Sequence, residues 1–386
     1  MIINRYIEKE FFELLKDFPV VCIIGPRQVG KTFFIKSIRK RLPGQTVYLD
    51  LELPSDKSKL TDPQLYLEQQ TGKTVIIDEV QHRRDLFPLL RSMVDTDRRP
   101  GRFILLGSAS RIIIQDTFES LAGRIAFIEL KPFSMKEISD NVLPMDQLWL
   151  QGGFPLSILA RNQKSSETWR INFIRTYIER DLPLLGLQVS PVQLERLWKM
   201  IAHLHGQLIN MSAIADSLGI SSHTAKRYID FMENAFLVSR IYPFSTNLKK
   251  RIVKSPKIFL SDSGILHYFH QIRSLEQLLA HPVAGHSWEG FVIKQIGSII
   301  SNDVDIYYYR THNRAEIDAV LVKGMNPVAA IEIKLSNSPK LSRGNTIGFD
   351  DINAPANYII TPSSDDYLIR DKTRVCSLKA FISKYI

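Results

Sequence analysis

A chain of 386 residues is longer than one ordinary core organises, so two or three domains are expected. Its 44% hydrophobic content excludes wholesale disorder, and its formal net charge of +10 favours a polyanionic partner, nucleic acid ahead of a membrane surface. No apolar run approaches membrane-spanning length, and Met1 to Phe12 lacks a signal-peptide core. Cys22 and Cys376 make neither a disulfide framework nor a zinc site, which points to the reducing cytoplasm.

Residues Ile2 to Leu15 read as an amphipathic helix leading into an apolar β-branched run, Val20 to Ile24. Gly25-Pro26-Arg27-Gln28-Val29-Gly30-Lys31-Thr32 follows at once, and a helical pattern starts at Phe33. Strand, glycine loop and helix in that order make a P-loop. Its backbone N–H groups and the helix N-terminus point at phosphate, so this run is the expected nucleotide site. Lys31 is expected on the β- and γ-phosphates, and the Thr32 hydroxyl on Mg²⁺.

Thr46 to Asp50 reads as a second buried strand, Pro54 to Pro63 as turn-rich, and Gln64 to Gln70 as a helix. Thr74-Val-Ile-Ile-Asp78-Glu79 is an apolar strand ending in two carboxylates, a Walker B pattern. Asp78 is expected in the Mg²⁺ shell and Glu79 as the base that polarises the attacking water. A helix, Leu86 to Val94, precedes a strand from Arg102 that ends at Ser108 and Ser110. Either serine is placed to orient the water, unless the segment is a plain strand-to-loop turn. Arg124, before a fifth strand from Ile125 to Leu130, is a candidate phosphate contact in cis or in trans, or a surface arginine. No Asn/Thr-Lys-x-Asp element for reading guanine is present, so ATP is the expected nucleotide. Alternating strands and helices, with the strands apolar on both faces, specify a parallel sheet covered on both sides.

The segment 132–188 reads as a helical lid beside the nucleotide, with Gly152-Gly153 as a hinge or a helix cap. In 189–262, helices from Pro191, Asn210 and Ser221 or Ser222 make a helix-turn-helix pattern. Phe236 to Tyr242 and Ile258 to Leu260 would form a two-stranded wing. Lys226 and Arg227 on the second helix, with Lys249, Lys250 and Arg251 at the wing tip, are the candidate DNA contacts. The alternative is a winged helix used for protein packing.

In 263–386, a helix from His286 to Ile300 carries Glu289, and strands Val304–Arg310, 316–322 and 328–334 follow. A hairpin would bring Asp318 near Glu332, and alternation puts Glu332 and Lys334 on one face. Asp318, Glu332 and Lys334 are therefore candidates for metal-assisted phosphodiester chemistry, with Glu289 completing the metal shell and Glu316 as a substitute ligand. The plainer reading is the solvated face of a hairpin. His267, His270, His281 and His286 lack metal-ligand spacing and read as structural.

Taken together, the motifs resemble the AAA-type P-loop ATPases of bacteria and archaea that carry a carboxy-terminal domain of unknown function. The resemblance rests on residues 25–32, Ile-Asp-Glu-Val-Gln (77–81), Leu-Leu-Gly-Ser (105–108), Leu-Ala-Gly-Arg (121–124) and Gly-Gly-Phe-Pro (152–155). It continues through Lys-Ser-Pro-Lys-Ile-Phe-Leu-Ser-Asp-Ser-Gly (254–264), Glu-Ile-Asp and Ile-Glu-Ile-Lys. It implies an α/β ATPase core (1–131), the lid, a winged helix and a small α/β restriction-endonuclease-like domain. The last part is similar to the Asp…Glu-x-Lys nucleases, a fold that often binds without cutting. The expected protein is a DNA-associated ATPase using ATP and Mg²⁺, able to form a homo-oligomer if Arg124 acts in trans.

Overall fold

The computed structural model describes residues 3–108, 121–138, 142–184, 186–245, 255–311 and 315–386. Ser110, Lys249, Lys250 and Arg251 lie outside them. The chain divides into two compact units, Met1–Phe133 with Asn234–Phe236, and Ser134–Glu233 with Leu237–Ile386.

In the first unit, α1 (Glu8–Asp17) leads into β1 (Val20–Ile24), α2 (Lys31–Ile38), β2 (Thr46–Asp50), α3 (Pro54–Lys59) and α4 (Pro63–Glu68). Next come β3 (Thr74–Asp78), α5 (Leu86–Thr96), β4 (Phe103–Gly107) and β5 (Ile125–Glu129). The strands form one parallel sheet of order β2-β3-β4-β1-β5. Successive side chains of β1 enter opposite cores, Val20, Cys22 and Ile24 on one face and Val21 and Ile23 on the other. That burial on both faces is why the strands are continuously apolar. Two expectations shift here. The first helix starts at Glu8, not Ile2, because Arg5 is docked by hydrogen bonds to the Val29 and Lys131 carbonyls. The turn-rich segment holds α3, with proline at its first helical position, where no backbone N–H is needed.

In the second unit, α6 (Met145–Gln151), α7 (Pro155–Ile158) and α8 (Gln163–Thr176) run into a π-helical turn at Tyr177–Asp181. There follow α9 (Pro191–His203), β6 (Gln207–Leu208), α10 (Met211–Leu218), α11 (Ser222–Asn234), β7 (Val238–Ile241) and β8 (Lys257–Leu260). The three strands pair antiparallel in the order β6-β8-β7. Asn210 caps α10 by accepting from the Ala213 N–H at 3.1 Å, and Gly219 ends it in the left-handed region.

Helices α12 (Ser263–Phe269), α13 (Leu275–Ala280) and α14 (Ala284–Gly297) lead to β9 (Val304–Arg310), β10 (Glu316–Lys323) and β11 (Asn326–Ile333). The chain closes with α15 (Arg343–Ile352), β12 (Asn357–Thr361), β13 (Tyr367–Arg370), β14 (Thr373–Ser377) and α16 (Leu378–Lys384). The six strands form a mixed sheet of order β13-β14-β12-β11-β10-β9, antiparallel through β9-β10-β11 and parallel from β11 through β12 to β14.

The expected lid helices pack into this second unit. Trp149 donates to Ser287 Oγ at 2.9 Å, and the Gly153 N–H donates to Asp262 Oδ2 at 2.7 Å. Gly152-Gly153 is a helix cap and not a hinge: a Cβ on Gly152 would meet Asp262 Oδ1 at 2.1 Å.

Candidate functional site

Parallel strands end at the same edge of a sheet, and three of them deliver the first site. Gly25 follows β1, Glu79 follows Asp78 at the end of β3, and Ser108 follows β4, which lies between them. A Cβ at Gly25 (φ +146°) would fall 2.3 Å from the Leu130 carbonyl, so only glycine turns the chain there. Gly30 (φ +98°) opens α2, and buried Val29 anchors the loop from behind. Pro26, Arg27 and Gln28 (φ +61°) complete the loop, and Arg27 pairs with Glu52 at 3.1 Å.

Lys31 is buried and donates to the Gly25 and Pro26 carbonyls, both at 2.9 Å. Burial lowers its pKa to about 8, with Glu79 and Asp78 opposing the fall. Thr32 Oγ1 donates to Asp78 Oδ2 at 2.7 Å, and the Tyr48 hydroxyl donates to the same oxygen. Burial raises the Asp78 pKa, and these donors counter it. A hydroxyl and a carboxylate side by side are hard oxygen donors, which fits Mg²⁺. Glu79 sits in the left-handed region (φ +55°), with Ser108 Oγ donating to Oε1 at 3.0 Å and Gln81 Nε2 donating to Oε2. Tyr48 was not singled out by motif, and Gln81 stood in the Ile-Asp-Glu-Val-Gln run without a role. Each is visible only through the strand or turn that carries it.

Arg124 is misplaced for a contact in cis. It precedes β5, whose Ile125 pairs with Val20 at the start of β1, whereas the P-loop leaves the other end of β1. Five residues of strand separate the two, roughly 16 Å at ~3.3 Å per residue. Its side chain instead pairs with Asp95 at 2.6 Å and donates to the Ala122 carbonyl.

In the second unit, a cavity of about 810 Å³ gathers the Asp…Glu-x-Lys residues. β10 and β11 pair with Ala319 opposite Ile331, so Asp318 lies opposite Glu332. The Ile333 N–H donates to Asp318 Oδ2 at 2.9 Å, and Lys334 pairs with Glu332 Oε1 at 2.6 Å. Glu332 Oε2 is buried and meets no donor at hydrogen-bond geometry, although the Asn345 side-chain amide is near enough to favour the ionised carboxylate. Burial, then Glu332 and Glu289, push the Asp318 pKa well up, and burial raises that of Glu332 despite Lys334.

The expected three-carboxylate shell is not formed. Lys257 of β8, 3% exposed, contacts Glu289 at 2.9 Å, Glu316 at 2.9 Å and Asp318 at 3.5 Å. Among the described residues, no group of three or more His, Cys, Asp or Glu is arranged to hold a metal ion. A pair remains: the orphaned Glu332 oxygen and facing Asp318 are hard donors that fit one divalent cation. Lys257 was missed although a lone lysine in Lys-Ile-Phe-Leu, an otherwise apolar strand, is itself a signal of a buried partner. Of the DNA candidates, Lys226 and Arg227 are exposed on α11, beside buried Ala225 and Tyr228.

Residues 17–139 match the model of the AAA domain, and residues 144–276 and 284–381 match two domains of unknown function (DUF8612 and DUF4143). The first unit is therefore an AAA-type P-loop ATPase domain, followed by a second, mixed-sheet unit. The chain is 37% identical over 353 residues to the uncharacterized protein Rv2008c of Mycobacterium tuberculosis and to Mb2031c of Mycobacterium bovis. That match covers 92% of this chain and 78% of each relative, and the chain belongs to their family. An uncharacterized Haemophilus influenzae protein is 25% identical over 284 residues, covering 65% of this chain and 69% of that protein. Among solved structures, the Walker-type ATPase PABY2304 of Pyrococcus abyssi superposes with a TM-score of 0.47 at 17% identity, covering 70% of this chain and 96% of that one. Among the described residues, no helix is long and apolar enough to cross a membrane.

Proposed function

We propose that the protein is a Mg²⁺-dependent, DNA-associated ATPase of the cytoplasm. The observation that carries the ATPase half is the Thr32–Asp78 pair beside Ser108-held Glu79 at the mouth of the P-loop. Bound Mg²⁺ supplies charge neutralisation on the phosphates. Lys31, which now donates to two loop carbonyls, would bind phosphate oxygens, and Thr32 and Asp78 would hold the cation. Glu79 orients the attacking water and takes its proton, and Ser108 fixes the carboxylate.

The DNA half is supported by the +10 charge and by the helix pair α10–α11 beside a three-stranded antiparallel sheet, which reads as a winged helix with Lys226 and Arg227 exposed. A second reading, an ATP-gated Mg²⁺-dependent endonuclease, is favoured by Asp318, Glu332 and Lys334 lining one cavity beside the six-stranded mixed sheet. The competing class is a nucleotide-switched module that binds protein.

The test incubates plasmid and linear DNA with the protein, ATP and Mg²⁺ or Mn²⁺, beside Lys31→Ala and Lys334→Ala. The expected result is duplex-stimulated ATP hydrolysis, lost in Lys31→Ala. Cleavage lost in Lys334→Ala establishes the second reading. Hydrolysis indifferent to DNA overturns both in favour of the protein-binding module.

A further inference from the structure

The carboxylates of the second-unit cavity come from three elements: Glu289 from α14, Glu316 and Asp318 from β10, and Glu332 from β11. Like charges this close and this buried require compensation. Lys334 supplies part of it at Glu332, but its side chain is 38% exposed and reaches from the rim. The deep compensation comes from Lys257, carried in by a strand of the other sheet, β8. Three carboxylates within 3.5 Å surround its ammonium, which gives each of them a share of one buried positive charge. Its ammonium also faces the Tyr308 ring at 5.7 Å.

The two sides of the cavity are therefore unequal. On the Glu289 side three carboxylates already share the buried Lys257, at hydrogen-bond distance from Glu289 and Glu316, with the more exposed His286 3.5 Å from Glu289 and Arg310 3.7 Å from Glu316. On the opposite side, Glu332 Oε2 is buried and meets no donor at hydrogen-bond geometry, with the Asn345 side-chain amide the nearby polar group that acts on this carboxyl. An unsatisfied buried carboxylate oxygen is costly, and its residue lines the cavity.

We infer that Lys257 is a built-in counter-cation that limits this cavity to a single divalent ion, taken between Asp318 and Glu332, by occupying with its own ammonium the place a second would fill among Glu289, Glu316 and Asp318. This rests on the metal-binding part of the second reading above. It makes Lys257 a positioning residue, since it fixes where the carboxylates stand. It also makes the cavity a composite of the two sheets, so a segment beginning after β8 would lack its internal cation.

The test titrates Mn²⁺ into the nucleotide-free full chain, followed by calorimetry and electron paramagnetic resonance. An Asp78→Asn background removes the P-loop carboxylate. The parent is expected to bind one Mn²⁺ per chain. Lys257→Gln keeps an amide donor but removes the charge. It is expected to bind two ions with spin coupling between them, and its thermal midpoint should rise on Mn²⁺ addition more than the parent's. Lys257→Arg should restore a stoichiometry of one. One ion with unchanged affinity in Lys257→Gln overturns the inference and leaves the metal reading intact. No ion in the parent but one in Lys257→Gln keeps the counter-cation and overturns the single-ion reading. No ion in either overturns both.

Discussion

Lys31 is the residue where burial and function pull in opposite directions. Phosphate needs the ammonium, yet burial in the nucleotide-free loop lowers its pKa to about 8. Below that pH the amine is charged and ready. Above it, ATP must bring a proton with it. ATP affinity should therefore fall by up to about tenfold per pH unit above pH 8, with proton uptake visible as buffer-dependent binding heats. The stability sign follows from the same shift. Between about 8 and the ordinary 10.5, the unfolded chain holds a proton that the folded chain does not, so nucleotide-free stability rises with pH through that window. Lys31→Met should flatten this slope in denaturant titrations at stepped pH. Glu79→Gln separates binding from chemistry: nucleotide affinity is retained while turnover drops about 10²–10⁴-fold.

At the scale of elements, two motifs prove to be one junction. Gly-Gly-Phe-Pro after α6 and Ser-Asp-Ser-Gly at the start of α12 meet where Asp262 accepts from the Gly153 N–H and caps α12 through the Ile265 N–H. Gly264 lies so near that a Cβ would stand 2.1 Å from the Gln151 carbonyl. Backbone cannot yield as a flexible side chain does, so Gly264→Ala should lower stability by at least about 1–3 kcal/mol, read as the midpoint of chemical unfolding. Gly285→Ala is the internal control. Its Cβ position is open, and alanine is the better helix former, so that midpoint should hold or rise.

For the whole molecule, the charge excess has to be located before it explains anything. Lys226 and Arg227 are exposed and belong to the second unit, whereas the P-loop residues belong to the first. Their reversal in Lys226→Glu/Arg227→Glu should leave DNA-free ATP turnover intact. It should weaken duplex binding and reduce the slope of log affinity against log salt by about 0.9 for each DNA phosphate no longer neutralised. An unaltered slope in fluorescence anisotropy removes this helix from the DNA interface.

The P-loop, the Asp-Glu strand end and the alternating strands of the first unit were legible because each is local. A turn, a cap or a both-face-buried strand is written in consecutive residues. The β10-β11 hairpin, and with it the nearness of Asp318 to Glu332, was legible for the same reason. Their facing is set by a register shift between Leu321 and Val322, because unbroken alternation from the Lys323–Asn326 turn would put Ile331 opposite Asp318. Arg124 was not legible, because sequence adjacency to a strand does not say which end of the sheet that strand starts from. Parallel pairing with β1 decided it. Nor was Lys257, whose partners lie 32, 59 and 61 residues along the chain on elements its own strand does not pair with. Sequence by itself determined the chemistry available to this protein, because side-chain identity and local period are properties of the chain. Only the tertiary structure decided which charges share a cavity, because burying a charge is settled by whatever folds against it.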